Sequence, residues 1–410
     1  MTPAEAAAIA HLRRPQTIRD RCELLFAQAE ADQLSHFACD LTRLDAVADL
    51  VIDTTRQHYP DFEVPFHSRW RHFDAGGVPR LARLDRALAD MNPDAAARAK
   101  LDLAVVSVLL DAGAGTAWRY HDREADQVIG RSEGLAIASF QAFLAGQFSS
   151  DPDAPLRVDA VGLQRLTEAD LAACFQVSDL NPLVGLAGRL AVLHRLGDAL
   201  QAQPDRFGTH PARPSGLLDR LRHRYGSSVD AGDLLVEVLT GLGEIWPGRR
   251  AIAGVSLGDV WPHPALPRDD LGQNLVPFHK LSQWLTYSLV EPLMAAGVGV
   301  INLNALTGLA EYRNGGLCID MGLLVPKHSR VLGTVHAPSD EVVVEWRALT
   351  LVLLDRIGDR VCAKLGKSPV ELPLIKVLEG GTWAAGRRIA KQYRESGAPP
   401  LAIASDGTVF

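Results

Sequence analysis

The sequence predicts a mainly α-helical globular protein with a few short strands in its C-terminal half. Apolar residues recur at helical spacing along most of the chain, whereas strand-like runs are short and come late. Strands and helices do not alternate regularly, which disfavours a doubly wound parallel sheet. With 410 residues, 47% of them hydrophobic, the chain is long enough to bury a large core.

Helix signals occur in both halves of the chain. The segment 95–110 is rich in Ala and Leu and ends in Asp-Ala-Gly, a natural stop, while Thr167-Glu-Ala-Asp170 resembles a capping box. Asn181-Pro182 predicts the start of a helix over 183–200, with Asn as the N-cap. The remaining predicted helices are 40–57, 133–147, 231–241, 281–296, 345–365 and 383–396.

The predicted strands are short apolar runs bounded by Gly or Pro, at 297–303, 316–325 and 342–344. Residues 201–215 contain Pro, Asp and Gly and form the best candidate for a surface connection. We therefore expect one catalytic unit over 1–410, with a helical lobe at 1–200 and a second lobe at 216–410 that carries most of the site motifs.

Composition excludes several classes of function. A net charge of −7 gives no basic field for a nucleic-acid backbone, and no apolar run approaches the ~20 residues of a membrane span. The five cysteines have no CxxC spacing, and the N-terminus lacks the apolar core of a signal peptide. We expect a cytoplasmic protein with no cofactor, no metal, no nucleic-acid partner and no membrane partner; the oligomeric state stays open.

Polar and aromatic residues concentrate in a few segments that are poor core fillers. Trp beside Arg and His in Gly-punctuated loops is typical of a pocket with flat walls and a few charged contacts. The Trp residues in question are Trp70, Trp118, Trp261, Trp284 and Trp383. The segments are 66–73, 111–120, 130–134, 258–264, 277–284, 306–316 and 380–388.

Glu311-Tyr312-Arg313 is the sharpest of these patterns. A carboxylate next to an arginine commonly forms a salt bridge, but this triplet lies between two Gly-containing turns, Thr307-Gly308 and 314–316, where little regular backbone needs it. Asp320 follows in an apolar, strand-like run and must find a partner or titrate upward. Two carboxylates near one loop can divide the roles of glycosidic chemistry.

Two histidines are candidate site residues, and for His263 a structural interpretation is as good as a catalytic one. His263 lies between two prolines in a stiff loop. His279-Lys280 opens a predicted helix, and its positive charges stand at the unfavourable end of the helix dipole, which favours a functional reason. His263 and His279 lack a partner at i, i+3 or i+4 that would indicate metal chelation, although chelation is not excluded.

At these segments the sequence resembles a family of unknown function tied to uracil catabolism, whose fungal members belong to the URC pathway. Bacterial members are often labelled uracil phosphoribosyltransferase. The matching stretches are PFHSRWRHF, LLDAGAGTAWRY, GRSEGLAIASF, LVPFHKLSQWLTYSLVEPL, LTGLAEYRNGGLCID, GTWAAGRRIA and the terminal SDGTVF. The resemblance implies degradation of uracil after it becomes a nucleotide and its ring is opened, which leaves an N-glycosidic bond to cut.

LTGLAEYR is also similar to the L-T-x-x-x-D-Y-R stretch of the queuosine-nucleotide salvage glycosidases, which are mainly α and related in fold to helical DNA glycosylases. Those enzymes hydrolyse a ribosyl bond with the Asp of D-Y-R. This likeness implies that Glu311 stabilises or attacks C1′, with Tyr312 and Arg313 as its neighbours. Glu is one methylene longer than Asp, so the choice between nucleophile and electrostatic stabiliser stays open.

The leading hypothesis is an N-ribosyl hydrolase acting on a ring-opened uridine monophosphate of the ribosylurea type, a nucleotide-like substrate with a 5′-phosphate. Glu311 faces the sugar, and Asp320 or Asp259 positions or activates water. His263, His279 and Tyr312 also line the site. Basic and aromatic side chains bind the phosphate and the base remnant, and they are Arg313, Lys280, Arg387, Arg388, Trp284, Trp383 and Trp118.

Two alternatives stay open. The first alternative is a uracil phosphoribosyltransferase, which predicts pyrophosphate-dependent turnover. Such an enzyme is expected to have two adjacent acidic residues before a Thr-Gly turn, and this acid pair is missing before Thr307-Gly308. The second alternative is a non-catalytic protein that binds a pyrimidine metabolite. In that case the ligand stabilises the protein and no product forms.

Overall fold

The computed structural model describes residues 1–115, 117–246 and 250–404. The predicted mainly α class is confirmed. The helices in chain order are α1 Pro3–Leu12, α2 Pro15–Glu30, α3 Leu44–His58, α4 Arg69–Phe73, α5 Arg80–Ala87, α6 Pro93–Leu109, α7 Arg131–Leu144, α8 Ala160–Arg165, α9 Glu168–Cys174, α10 Leu186–Ala202, α11 Pro204–Phe207, α12 Leu217–Tyr225, α13 Ala231–Leu242, α14 Lys280–Ala295, α15 Tyr312–Asp320, α16 Arg330–Gly333, α17 Glu341–Leu365, α18 Leu374–Val377 and α19 Trp383–Tyr393.

Strands in the described residues are two or three residues long and pair two by two. Antiparallel pairs are β1 Phe37–Cys39 with β10 Leu324–Pro326, β2 Tyr120–Asp122 with β3 Gln127–Ile129, β5 Ala251–Ile252 with β6 Val255–Ser256, and β7 Val260–Pro262 with β8 Leu275–Pro277. Parallel pairs are β4 Ser228–Asp230 with β9 Gly299–Ile301, and β11 Val335–His336 with β12 Ala402–Ile403.

The chain divides into two compact units, each built from separate stretches of sequence. Among the described residues, unit 1 comprises 1–67, 250–283 and 302–404, and unit 2 comprises 68–115, 117–246 and 284–301. This division differs from the predicted lobes, because residues 201–215 lie inside unit 2. That the whole chain acts as one catalytic unit stays a prediction.

Unit 1 is organised around α17, a 25-residue helix that packs against α2 and α3. Most side chains from Val342 to Leu354 are buried, so the helix is apolar on nearly all sides. It ends at Gly366, whose φ of 64° is the left-handed conformation that glycine adopts readily at a helix C-terminus. α15 packs against α19, and a π-helical turn over Leu378–Thr382 joins α18 to α19 and lies against α3.

Unit 2 is built from α6 and α7, which pack on α4, and from α10, which packs on α8 and α9. Local sequence sets several of these helix starts. The Asn92 side chain accepts a hydrogen bond from the Ala95 N–H and caps α6, and Pro93 takes the first helical position. The predicted capping box at Thr167 and Asp170 is confirmed at the start of α9.

Two strand predictions and one N-cap prediction are wrong. Residues 317–320 belong to α15 and only 324–325 of the predicted strand are extended, because Glu311 caps a helix there. Val342–Val344 is helical, since burial within α17 outweighs the strand preference of valine. The N-cap of α10 is Gly185; the Asn181 side chain instead bonds the Arg119 backbone.

Among the described residues, no helix combines the length and the apolar character needed to cross a membrane. The predicted cytoplasmic location stays a prediction.

Candidate functional site

Glu311 occupies the N-cap position of α15 in unit 1. Its carboxylate accepts hydrogen bonds from the backbone N–H groups of Arg313 and Asn314, both at 2.7 Å. The side chain is half-buried and makes no ion pair with any described residue. The helix N-terminus therefore fixes an oriented carboxylate and stabilises its charge without a cation.

The glycines around Glu311 allow close helix packing. A Cβ on Gly315 would stand 2.2 Å from the Trp346 ring, and one on Gly386 would stand 2.1 Å from the Arg313 carbonyl oxygen. The expectation that 314–316 forms a turn is wrong, because these residues lie in the first turns of α15. Both glycines serve to bring α17 and α19 against the start of α15.

The two neighbours of Glu311 contact the last described residues of the chain. The Tyr312 hydroxyl donates to the Ile403 carbonyl at 3.4 Å, and the Arg313 guanidinium donates to the Gly397 carbonyl at 2.9 Å. The terminal SDGTVF segment lies outside the described residues.

Asp320, at the C-terminal end of α15, forms an ion pair, as the sequence required of a carboxylate in an apolar segment. Its carboxylate forms a two-point ion pair with Arg394, one arm at 2.9 Å, and its side chain is only 5% exposed. Arg394 also donates to the Ala398 carbonyl at 2.6 Å. Asp320 thus fixes the segment after α19 to α15.

Asp259 lies before β7 in a polar cradle of unit 1. Arg347 of α17 donates to both carboxylate oxygens at 2.7 and 2.6 Å, and the Trp261 indole and the Lys280 backbone N–H donate at 2.6 and 3.0 Å. Burial alone would raise the pKa of the Asp259 carboxyl, but Arg347 and these donors hold it well below its usual range. The guanidinium carbon of Arg347 also lies 4.0 Å from the Phe278 ring centroid.

His279 is buried beside this cradle and donates from Nε2 to the Leu12 carbonyl at 2.9 Å. Its φ of 48° is rare for a non-glycine residue and marks the sharp turn that starts α14. The structure therefore gives His279 and the Lys280 backbone a positioning role at the start of this helix.

His263 is buried next to Glu345 of α17. Its Nδ1 accepts from the Ala265 N–H at 3.3 Å, and its Nε2 lies 3.9 Å from Glu345 Oε2. Burial lowers the pKa of His263 to about 4 and raises the pKa of Glu345 to about 7. The Glu345 Oε1 atom accepts from the His36 and Phe37 backbone N–H groups at 3.1 and 2.7 Å.

A histidine and a carboxylate meet at the π-helical turn of unit 1. His67 Nδ1 lies 2.6 Å from Glu379 Oε2, and the Tyr59 hydroxyl donates to Oε1 at 3.3 Å. Trp383 lies 6.4 Å from His67 by ring centroids, with the Arg387 guanidinium 4.9 Å from the Trp383 ring. π-helical turns are frequent at functional sites. Arg388, in contrast, is exposed and contacts Gln57.

Unit 2 brings together side chains from four of the segments quoted above. The Asp111 carboxylate accepts from Arg69 at 2.7 Å, from the Ser132 hydroxyl at 2.5 Å and from the Trp284 indole at 3.1 Å. His72 Nδ1 lies 3.1 Å from the Ser132 hydroxyl, and its ring centroid lies 5.6 Å from that of Trp284. Arg69 is fully buried, so Asp111 balances its charge.

Trp118 has no exposed face. It is buried in unit 2, donates to the Phe175 carbonyl at 2.9 Å and packs on the rings of Phe175 and Tyr120. This environment is that of a core tryptophan.

A cleft of about 470 Å³ opens in unit 1. Arg19, Asn304, Asp355 and Asp359 are among its lining residues, and Arg19 pairs with Asp355 at 2.8 Å. Burial, with Asp355 adding to it, raises the pKa of the Asp359 carboxyl. Two carboxylates against one arginine make this cleft a poor site for a phosphate.

Sequence reasoning missed Arg347, Glu345, Glu379 and Asp111 as site residues. Glu345 and Arg347 interrupt the apolar run of α17, and buried charges in such a run need a partner. Glu341 and Glu345, four residues apart, share one helix face. Those two signals were readable from the sequence, whereas the partners of Glu379 and Asp111 are distant in the chain.

The fold and these sites define a mainly α protein with several preorganised carboxylates. Residues 11–410 match the family described as a protein of unknown function, DUF1688, and the chain belongs to that family. It is 40% identical to the protein urg3 of Schizosaccharomyces pombe over 98% of this chain and 99% of that protein. It is 36% identical to uracil catabolism protein 4 of Lachancea kluyveri, over the same shares of the two chains.

Proposed function

We propose that this protein is an N-ribosyl hydrolase of uracil catabolism whose substrate is a ring-opened uridine nucleotide of the ribosylurea phosphate type. The name of the Lachancea kluyveri relative, uracil catabolism protein 4, supports the pathway. The observation that carries the reaction is the Glu311 carboxylate, fixed by two backbone N–H groups at the N-terminus of α15 and without a cationic partner among the described residues.

In this reaction the bond between C1′ and the urea nitrogen breaks and its electron pair leaves with the nitrogen. Water adds to C1′, its oxygen stays on the sugar and one of its protons reaches the leaving nitrogen, so the products are ribose 5-phosphate and urea or a substituted urea. The positive charge that develops on the sugar needs a nearby anion. Glu311 supplies that anion, because no arginine of the described residues forms an ion pair with it.

Asp259 and Asp320 have a different role in this proposal. Each is paired at two points with an arginine, Arg347 and Arg394, so its charge is already balanced. They position β7, α14 and α15. The basic groups that we assign to the phosphate are Arg313, Lys280, Arg387 and Arg388, all of unit 1.

The test uses the full chain with three substrates followed by mass: UMP, its ring-opened ureido product, and uracil with phosphoribosyl pyrophosphate. We expect ribose 5-phosphate from the ring-opened nucleotide alone. Glu311→Gln should lower kcat by about 100-fold or more, because the isosteric amide carries no charge. Formation of UMP with release of pyrophosphate would instead identify a phosphoribosyltransferase, and ligand-induced stabilisation with no product would identify a binding protein.

The matched control is Asn92→Ala, which removes a helix N-cap in unit 2 at a cost of about 1 kcal/mol. This variant loses a helix cap and leaves Glu311 intact, so its kcat should stay at the wild-type value. Wild-type turnover by Glu311→Gln would refute the assignment of this residue.

A further inference from the structure

His36, Glu341 and Glu345 form a cluster in unit 1, here called the His36 cluster. One ligand atom from each of the three lies within 4.8 Å of the others. His36 precedes β1, while Glu341 and Glu345 lie one turn apart on α17. The cluster combines one imidazole with two carboxylates.

Glu345 is fully buried, yet its charge has no compensating cation. Oε1 accepts from two backbone N–H groups, whereas Oε2 has no hydrogen-bond partner in the described part of the chain. No lysine or arginine of those residues forms an ion pair with it. A buried carboxylate in this state is costly unless it takes up a proton or a metal cation from outside the chain balances its charge.

His36 is oriented by its other ring nitrogen. Nδ1 lies 3.0 Å from His328 Nε2, which leaves His36 Nε2 to face the Glu341 carboxylate. Histidines that bind metals characteristically use the second nitrogen in this way, because the hydrogen bond fixes the ring and its tautomer.

The distance between the His36 and Glu341 side chains also suits two ligands of one metal ion better than a hydrogen bond. His36 Nε2 and Glu341 Oε1 are 3.6 Å apart, beyond ordinary hydrogen-bond length. Ligand atoms at about 2.1 Å from a tetrahedral zinc ion are about 3.4 Å from one another. Small rotations of the two side chains therefore suffice to place both atoms on one ion.

We propose that the His36 cluster binds a divalent transition-metal ion of the zinc type, with His36 Nε2, a Glu341 oxygen and Glu345 Oε2 as its ligands. Imidazole with carboxylate suits Zn²⁺, whereas an all-oxygen set suits Mg²⁺ and Ca²⁺. His36 and Glu341 are partly exposed, so water completes the coordination on that side.

His263 supports Glu345 from the buried side. With Nδ1 accepting from the Ala265 N–H, its Nε2 carries the proton, and this atom stands 3.9 Å from Glu345 Oε2 without another partner in the described residues. A shift of about 0.7 Å would bring the two atoms to hydrogen-bond distance. His263 is therefore a positioning residue for a ligand oxygen.

The experiment uses untagged, EDTA-treated full-length protein titrated by equilibrium dialysis with ZnCl₂, MnCl₂ or MgCl₂ alone. We expect one Zn²⁺ per chain, weaker Mn²⁺ and no stoichiometric Mg²⁺. Glu341→Gln should weaken Zn²⁺ binding tenfold or more. Because Glu341 is partly exposed, this variant should fold even where Glu345→Gln does not.

The matched control is Glu168→Gln, which removes an exposed glutamate from the first turn of α9 and should leave Zn²⁺ binding unchanged. His36→Gln should reproduce the loss seen with Glu341→Gln. Absence of stoichiometric Zn²⁺ binding, equal affinity for Mg²⁺, or Zn²⁺ affinity that both variants preserve would overturn the proposal. The readout is binding, so the result is independent of the role of Glu311.

Discussion

Glu311 and Asp259 are carboxylates of the same unit held in two different ways. Asp259 accepts from both arms of Arg347, from an indole and from a backbone donor, whereas Glu311 accepts from two backbone N–H groups and from no other described residue. The first arrangement balances the negative charge, and the second stabilises it without a full countercharge. Of these two acids, Glu311 is therefore the one that we propose to face a cationic transition state.

The largest expected effect comes from removing the arginine of the Asp259 cradle. Arg347→Met leaves a buried, unpaired carboxylate and should destabilise the protein by about 3–5 kcal/mol. Adding Asp259→Asn to this variant should recover part of the loss, because the uncompensated charge disappears. Urea unfolding of the two single variants and the double variant measures the coupling; strictly additive losses would contradict the close pairing.

Lowering the pH should weaken the interactions of Asp259 in the same cradle. The folded-state pKa of Asp259 is depressed, so its contribution to stability is present above its ordinary value of about 4 and is lost as the pH falls further. The difference in Tm between wild type and Asp259→Asn should therefore narrow below about pH 4. The exposed Asp53→Asn variant is the control and should show a small difference at every pH. A gap that widens on acidification would contradict the depressed pKa.

The smallest effect separates structure from catalysis at Asp320. Arg394→Met leaves a nearly buried carboxylate with one partner fewer and should cost about 1–3 kcal/mol, while kcat below the melting temperature stays near wild type. Asp320→Asn should behave alike. A 100-fold loss of kcat in Asp320→Asn alone would restore Asp320 to the reaction, as the sequence first suggested.

Most of the helices were predictable because their signals are local. The Thr167 capping box, the stop after residue 110 and the helices at 133–147, 231–241, 281–296 and 383–396 follow from periodicity and caps. The two errors have different causes, which are burial by distant packing at 342–344 and an unrecognised local helix cap at 317–320. Val342–Val344 looks extended until α17 buries it, and 317–320 looks extended until Glu311 caps α15.

Local sequence patterns predicted the mainly α class, singled out Glu311-Tyr312-Arg313 as a candidate site motif and required a partner for an acid such as Asp320. The identity of each acid's partner became clear from the folded chain: Arg394 for Asp320, Arg347 for Asp259 and backbone N–H groups for Glu311. The reason is physical. Helix formation depends on residues three or four positions apart, whereas the charge state of a carboxylate depends on groups that only folding brings within hydrogen-bond distance.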